Sequence, residues 1–310
     1  MRAVARAALA AFAVCAPGAS LACDGRVIES ASVFATPLCI PEAPKRVVVL
    51  DASFALGIGL DTGLPIVGAP LVRMSDADLR SRAEAAGVAS IGGVDAPSVE
   101  AIVALRPDLI IGFPGDPGLA AAIYPLVAQV APTLLYAGLD WRDFQFLLAG
   151  LTGRTDETAA RFAEYDARLA DVRARMPDTT VSILRITSWD FQVYLDGPTA
   201  YAPFEILREA GVRRGAYETT DDPALSMKRP DWEELAALDG EVLLYIVGGT
   251  NDSDKDGRLE EVLGDPLWRM LPAVAAGRAH RVDHGPWMEF NGLASANRVL
   301  DDLERYVIGQ

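Results

Sequence analysis

The sequence contains few of the residues on which several protein classes depend. Its 310 residues include two histidines and three cysteines, which supply too few ligands for a typical zinc cluster. Lysine and arginine number 28 against 43 aspartates and glutamates, for a net charge of −15. A nucleic-acid binder needs a basic surface against phosphates, and adsorption to anionic lipid needs the same. The composition therefore disfavours both and predicts neither a bound metal nor a nucleic-acid partner.

Long hydrophobic runs are also missing beyond the N-terminus. Arg2 and Arg6 accompany an alanine-rich apolar run at residues 7–16, and small residues follow up to residue 22. The run is shorter than the ~18 residues that a membrane-spanning helix needs, and the pattern is typical of a secretory signal peptide. We therefore expect residues 1–22 to be removed by cleavage before Cys23 and the mature chain to be exported.

Removal of the signal would leave two cysteines, Cys23 and Cys39. Residues 26–29 and 34–40 are predicted as antiparallel strands around a turn centred on Ala31, which would place the two cysteines opposite each other. An even number of cysteines in an exported protein favours a disulfide. The alternative is that Cys23 is the acylated cysteine of a lipoprotein, although Ser20 stands where such signals usually carry leucine.

Motifs of several enzyme classes are absent from the sequence. It contains no phosphate-binding Gly-Lys-Ser/Thr loop, no GxSxG nucleophile elbow and no HExxH zinc motif. An acidic turn at residues 252–257 carries the first carboxylates of a calcium loop, but Leu263 occupies the twelfth position, which needs glutamate. A solvated turn is the favoured interpretation, with calcium binding left open. The sequence thus gives no support for an enzyme.

Strand and helix patterns alternate along the chain. Apolar runs predict buried strands at residues 46–51, 66–68, 108–112, 133–136, 181–186, 192–195, 242–247 and 279–282. Helical patterns separate them, and the longest, over residues 155–176, has Thr155 as its expected N-cap. Such alternation predicts an α/β fold with mainly parallel strands. Two short predicted helices, at residues 97–105 and 231–238, form an internal echo, since each leads into a buried strand.

Several motifs, taken in order along the chain, resemble those of one family. They are PKRVVVLD at residues 44–51, SVEAIVALRPDLI at residues 98–110, and DPLW, LPAV and AGR within residues 265–278. They are similar to the motifs of class III periplasmic substrate-binding proteins, which serve ABC importers of iron–siderophores, haem and cobalamin. A Gly-Pro turn at residues 197–198, followed by FEIL at residues 204–207, resembles most closely the ferric-hydroxamate branch.

The resemblance implies two α/β lobes, at residues 23–153 and 178–310, joined by one long helix at residues 154–177. It implies a periplasmic monomer that performs no catalysis, needs no cofactor and carries a ferric siderophore in the cleft between its lobes. It also implies that one glutamate on each lobe docks on the permease of an ABC transporter. The matching positions are Glu100 and Glu233, with Glu234 as the alternative to Glu233.

Ligand-binding residues are expected in the loops that follow the strands, because ligands of open α/β sheets bind at the carboxyl ends of the strands. Aromatic rings and arginine forks suit a bulky chelate with exposed oxygens. The candidates are Arg73, Phe113, Trp141, Arg185, Trp189, Tyr201 and Trp287. The acidic chain would repel a highly anionic triscatecholate, which favours a neutral or weakly charged hydroxamate-type chelate. Haem and cobalamin are alternative cargoes, and an exported α/β enzyme is an alternative of another class.

Overall fold

Strands in the described part of the chain form two five-stranded sheets and two short two-stranded ones. A computed structural model describes residues 23–93 and 96–309; the predicted signal peptide, residues 1–22, lies outside the described residues. The strands are β1 (Arg26–Ile28), β2 (Leu38–Ile40), β3 (Val47–Val49), β4 (Ile66–Ala69), β5 (Ala89–Ser90), β6 (Gly92–Gly93), β7 (Ala96–Pro97), β8 (Leu109–Gly112), β9 (Thr133–Leu135), β10 (Val181–Ile186), β11 (Phe191–Tyr194), β12 (Met227–Lys228), β13 (Val242–Val247) and β14 (Ala279–Asp283).

Helices alternate with these strands and cover the two larger sheets. They are α1 (Phe54–Asp61), α2 (Ala77–Ala85), α3 (Val99–Leu105), α4 (Pro117–Val127), α5 (Trp141–Thr152), α6 (Thr155–Arg175), α7 (Ala202–Glu209), α8 (Arg258–Gly264), α9 (Pro266–Met270), α10 (Pro272–Ala275), α11 (His284–Met288) and α12 (Leu293–Leu303). A π-helical turn, Glu304–Ile308, continues α12. Within residues 23–93 and 96–309, no helix combines the length and the apolarity that crossing a bilayer requires.

The first large sheet has the strand order β5-β4-β3-β8-β9, and every neighbouring pair in it is parallel. Its central strand β3 is a run of three valines that are buried on both faces. Such runs are typical of parallel strands, because helices cover both faces of a parallel sheet. This sheet is the centre of what we call the N-terminal lobe.

The second large sheet has the order β12-β11-β10-β13-β14 and is the centre of the C-terminal lobe. Strands β10, β13 and β14 are parallel, whereas β11 and β12 run antiparallel at one edge. The antiparallel edge arises because β11 follows β10 through a short turn at residues 187–190, too short for a crossover helix. The predicted α/β fold, with two lobes and mainly parallel strands, is confirmed.

The longest helix, α6, joins the last helix of the N-terminal lobe to the first strand of the C-terminal lobe. Its buried face includes Phe162, Tyr165 and Val172, and it packs against α5 and α12. The predicted cap is wrong by one residue. Thr155 is the first helical residue, and Arg154 occupies the N-cap position without a side-chain hydrogen bond.

The hairpin β1–β2 carries the predicted disulfide between Cys23 and Cys39. The predicted register is wrong, because Cys39 pairs with Val27, so the hairpin is centred on Val33 and not on Ala31. Cys23 still reaches Cys39 because Gly25 lets the chain run tightly along the end of β2. A Cβ atom at Gly25 would lie 2.1 Å from the carbonyl oxygen of Ile40. A sulfur held in this disulfide cannot also carry a thioether-linked lipid.

Two other predicted segments are the second half of the internal echo, whose predicted helix is wrong, and the acidic turn. The second half of the internal echo, predicted as a helix at residues 231–238, contains only the short 3₁₀ turn Glu234–Ala237. In the acidic turn, Lys255 pairs with Asp252 at 3.1 Å and Arg281 pairs with Asp254 at 2.6 Å. Lys255 and Arg281 thus offset the charge of two carboxylates of the turn, and calcium binding there stays an open prediction.

We predict that the disulfide stabilises the mature protein by about 3 kcal/mol, because it closes a loop of 16 residues in the unfolded chain. The double variant C23S/C39S should lose that much unfolding free energy in urea titrations. Reductant should reproduce the loss in the wild type and change nothing in the variant. A wild type that is indifferent to reductant, or an intact mass that includes a lipid, would contradict the disulfide.

Candidate functional site

Three connected cavities lie between the two lobes, at the carboxyl ends of the strands. The first, about 610 Å³, is lined by Phe113 after β8 in one lobe and by Tyr201 before α7 in the other. A second, about 270 Å³, is lined by Arg73 after β4 and His284 after β14. The two cavities meet at a shared boundary of Asp51, Ser53, Arg185 and Met288. Both sheets thus direct their strand ends into one cleft, where open α/β sheets usually bind ligands.

The cavities differ in chemical character. The first, which we call the apolar chamber, is walled mainly by aromatic and aliphatic side chains. The second, which we call the polar chamber, includes the charged or titratable residues Asp51, Arg73, Arg185, His284 and Glu289. A third cavity of about 650 Å³ extends the polar chamber through the shared residues Arg73, Met74 and His284. A ligand that spans the cleft would therefore meet a polar region on one side of Arg185 and an apolar region on the other.

Arg185 is held at the boundary by a chain of hydrogen bonds. Its guanidinium donates to Oε1 of Gln192 at 3.3 Å and to Nε2 of His284 at 3.4 Å. Nδ1 of His284 lies 2.8 Å from the hydroxyl of Ser75, and that hydroxyl lies 2.7 Å from Oε1 of Glu289. Because Ser75 belongs to the N-terminal lobe and the other members to the C-terminal half of the chain, the hydrogen bonds cross the cleft.

The direction of each hydrogen bond in this chain follows from the arginine. A guanidinium can only donate, so Nε2 of His284 accepts and the ring hydrogen is on Nδ1. Nδ1 then donates to Ser75, and Ser75 donates to Glu289. Burial, and secondarily the charge of Arg185, lowers the pKa of His284 to about 4, which keeps the ring neutral at pH 7. The glutamate also accepts from the backbone N–H groups of Ser75 and Asp76.

Asp51 is the carboxylate at the boundary of the chambers. It follows β3, and it accepts hydrogen bonds from the N–H of Ala55 at 2.7 Å and the N–H of Phe113 at 2.9 Å. These bonds place its charge at the start of α1 and tie the loop after β3 to the loop after β8. Burial raises the pKa of Asp51 to about 6, so the carboxylate is mostly ionised at pH 7. Its charge offsets that of Arg185 across the shared boundary.

Four of the seven predicted ligand-binding residues line the cleft cavities. Phe113 and Tyr201 line the apolar chamber, Arg73 lines the polar one, and Arg185 lines both. Arg73 has a φ of 64°, in the left-handed region that few residues other than glycine adopt. Trp189 is 62% exposed and lines none of the three cavities that the described residues form between the lobes.

The other two tryptophans lie in the core, which contradicts their predicted place in the cleft wall. Trp141 is 2% exposed and Trp287 is fully buried. The sequence reading placed both in loops, whereas Trp141 begins α5, whose N-cap Asp140 accepts from two backbone N–H groups, and Trp287 lies in α11. The prediction missed both helices, and their packing buries the two tryptophans. The indole N–H of Trp287 donates to Asp302.

Sequence reasoning missed several residues of the site. Asp51, His284 and Glu289 line the polar chamber, and Leu119 and Leu139 line the apolar one. Asp51 carried a usable signal, because it is the polar residue that directly ends a buried strand. His284 and Glu289 carried none, since their roles depend on Ser75, which is 209 residues from His284 in sequence.

We predict that His284 makes the protein less stable in acid. Unfolded histidine takes up a proton near pH 6.5, whereas folded His284 does so near pH 4. The unfolded state therefore binds more protons between these values, and stability falls by about 3 kcal/mol as the pH drops from 7 to 4. Urea titrations over this range should show a shallower fall for H284Q than for the wild type.

The matched control for this experiment is H280Q, which removes the second histidine of the sequence. His280 is only partly buried and stacks on Tyr306, 4.7 Å between ring centres. It should therefore change the pH dependence less than H284Q does. Equal slopes for the wild type and H284Q would show that His284 is not a buried neutral histidine.

Comparisons with known proteins agree with the geometry. A probable siderophore-binding lipoprotein of Bacillus subtilis, YfiY, is 30% identical over 285 residues, which cover 87% of this chain and 84% of that protein. The Fe(3+) dicitrate-binding periplasmic protein FecB of Escherichia coli is 28% identical over 273 residues, 85% of each chain. The crystal structure of Staphylococcus aureus SirA complexed with staphyloferrin B superposes with a TM-score of 0.72 at 20% identity, covering 86% of this chain and 94% of that one.

The likeness to SirA shows a shared fold. The two relatives align with this sequence over most of its length. The family described as periplasmic binding protein matches residues 47–284, a span that contains both large sheets and the residues of the cleft up to His284. The two-lobed architecture implied by the sequence motifs is found in the structure, and SirA shares this fold. The chain belongs to the periplasmic binding protein family, among substrate-binding proteins of ABC importers that include siderophore binders.

Proposed function

We propose that this protein binds a ferric siderophore in the cleft between its lobes and delivers it to an ABC permease. The observation that carries the proposal is Arg185, an oriented guanidinium at the meeting point of two cavities between the lobes. An arginine fork suits the oxygens that surround iron in a siderophore, and the neighbouring rings suit its hydrocarbon. The protein acts by binding and release and carries out no reaction on its cargo.

The cleft charges favour a chelate of low net charge. In the polar chamber, Arg73 and Arg185 are matched by Asp51 and Glu289, and His284 is neutral. A triply negative triscatecholate would gain little from a balanced site and would be repelled by the acidic protein. The relatives' named ligands differ, so the cargo class rests on this charge balance. We therefore propose a neutral or weakly charged hydroxamate-type chelate.

Haem is a weaker candidate than a siderophore. Both ring nitrogens of His284 are engaged, Nε2 by Arg185 and Nδ1 by Ser75, so that ring is not free to ligate an iron atom. His280 stacks on Tyr306 instead of lining one of the three cleft cavities. The same cavities could still admit cobalamin by shape, and competition with a ferric hydroxamate would separate the two cargoes.

The proposed function also includes the limits of the two lobes and the location of the protein. The lobes would comprise residues 23–153 and 178–310, with residues 154–177 as the connecting helix. Because α6 is a stiff single connection, closure around the ligand would be small. The mature protein would be a monomer in the periplasm, where the disulfide of Cys23 and Cys39 is stable.

Glu100 and Glu233 are the proposed contacts with the permease. Both side chains are exposed. Glu100 lies in the first turn of α3, and Glu233 immediately precedes the 3₁₀ turn Glu234–Ala237. They belong to different lobes, so two basic residues of a permease could each bind one lobe at the same time. Exposure and this arrangement support docking.

We predict that a ferric trishydroxamate binds this protein and that R185M weakens binding about tenfold or more, because the variant loses charged hydrogen bonds to ligand oxygens. Isothermal titration calorimetry measures the Kd. The control is R281M, which removes an arginine of the C-terminal lobe that pairs with Asp254 outside the cleft cavities. Absence of binding, an unchanged Kd in R185M, or tighter binding of a triscatecholate would count against the proposal.

We predict that E100A/E233A binds the same chelate with unchanged Kd but supports about tenfold slower uptake, because charged contacts to the permease are lost. Radioactive iron uptake by cells that depend on this protein measures the rate. E157A/E260A removes two exposed glutamates elsewhere and serves as the charge-matched control. Equal uptake by both double variants would exclude docking through Glu100 and Glu233.

A further inference from the structure

We infer that the ligand of this cleft is amphiphilic: a ferric chelate that carries a hydrocarbon appendage, such as an acyl chain, which fills the apolar chamber. The inference rests on the proposed function and adds a second binding site to it. The chelate would lie against the polar chamber and Arg185, and the appendage would lie on the far side of Phe113 and Leu139. The apolar chamber has an aromatic wall, exposed leucines and charge at only one end.

The wall of the apolar chamber is a rigid aromatic surface. Phe113 stacks on Phe54 with 4.2 Å between ring centres and an angle of 11°, and it lies 5.3 Å from Tyr136. Tyr194 stacks in the same manner on Phe204, at 4.9 Å and 10°. These stacking contacts oppose rotation of the rings, which favours an aromatic surface that is already formed before a ligand enters.

Two hydroxyls that line the chamber, those of Tyr201 and Thr199, already have partners in the protein. The hydroxyl of Tyr201 donates to the carbonyl of Met288 and accepts from the N–H of Phe290, both at 3.3 Å. The hydroxyl of Thr199 donates to the carbonyl of Pro223 at 3.1 Å. With these hydroxyls engaged, Tyr201 presents its ring to the cavity. A polar ligand group placed there would find few free donors and would lose its hydration.

Leucines on the N-terminal lobe leave apolar surface open to the same chamber. Leu119 is 56% exposed and Leu139 is 52% exposed, and Ile123 lines the chamber one helical turn after Leu119. Covering aliphatic groups this exposed with an apolar ligand is favourable, because apolar surface leaves water. Leu126, on the same helix α4, is 61% exposed but does not line the chamber. It therefore provides a matched position outside the site.

The boundary between the chambers fixes the orientation of the ligand. Among the described residues that line the apolar chamber, those with a charge are Asp51 and Arg185, and both also line the polar chamber. Charge is thus confined to one end of the apolar chamber. A chelate with its oxygens at Arg185 would direct any substituent on its far side toward Phe113, Leu119 and Leu139. A chelate without such a substituent would leave this surface uncovered.

The test compares two ferric chelates that differ in one chain. A linear ferric trishydroxamate with a terminal amine is converted to its acetyl amide and to its octanoyl amide, so that both have the same charge. Each methylene that leaves water tightens binding about fourfold. We expect the octanoyl amide to bind at least about tenfold tighter than the acetyl amide in calorimetry.

Variants locate the gain in the chamber. L119N/L139N should abolish the advantage of the octanoyl amide over the acetyl amide, because both leucines line the part of the chamber that the appendage would cover. L126N should retain the full advantage. Equal Kd values for the two amides in the wild type, or an advantage that survives L119N/L139N, would overturn the inference. Failure of both chelates to bind would overturn the proposed function and the inference with it.

Discussion

The guanidinium of Arg185 is fixed in the cleft by hydrogen bonds that run through His284 and Ser75 to Glu289. Each step of this chain constrains the next, because the arginine can only donate and the buried histidine is neutral at pH 7. The chain also spans both lobes, since Ser75 lies in the loop that precedes α2. The position of Arg185, the proposed ligand-binding arginine, is therefore coupled to a contact between the lobes, so a disturbance of His284 should affect both.

Balance of charge is the second constraint on the site. The full sequence is strongly acidic, with a net charge of −15, whereas the polar chamber is lined by two arginines and two carboxylates. Such a site selects by shape and by the direction of its hydrogen bonds more than by attraction of opposite charge. The apolar chamber adds contact area without adding charge. The two chambers together are the reason for proposing a cargo of low charge and substantial hydrocarbon content.

The fold was largely predictable from the sequence, and the site only in part. Apolar runs such as Val47–Val49 specify buried parallel strands locally, and the order of strands and helices specifies the α/β class. Trp141 and Trp287 were predicted to line the cleft but lie in the core, because the sequence analysis did not recognise their helices α5 and α11. A tryptophan in a loop and a tryptophan in a core look alike in sequence. His284 and Ser75 meet only in the folded chain. A pairing of this kind has no local signature.

The position of the iron atom tests most directly whether the ferric chelate binds between the lobes at Arg185. Crystals of the complex with a ferric trishydroxamate, measured at the iron absorption edge, would give its position from anomalous scattering. We predict one strong peak between the lobes, on the Arg185 side of Phe113, with ligand oxygens within hydrogen-bond distance of the guanidinium. A peak at the acidic turn of residues 252–257, or iron bound outside the cleft, would contradict the account.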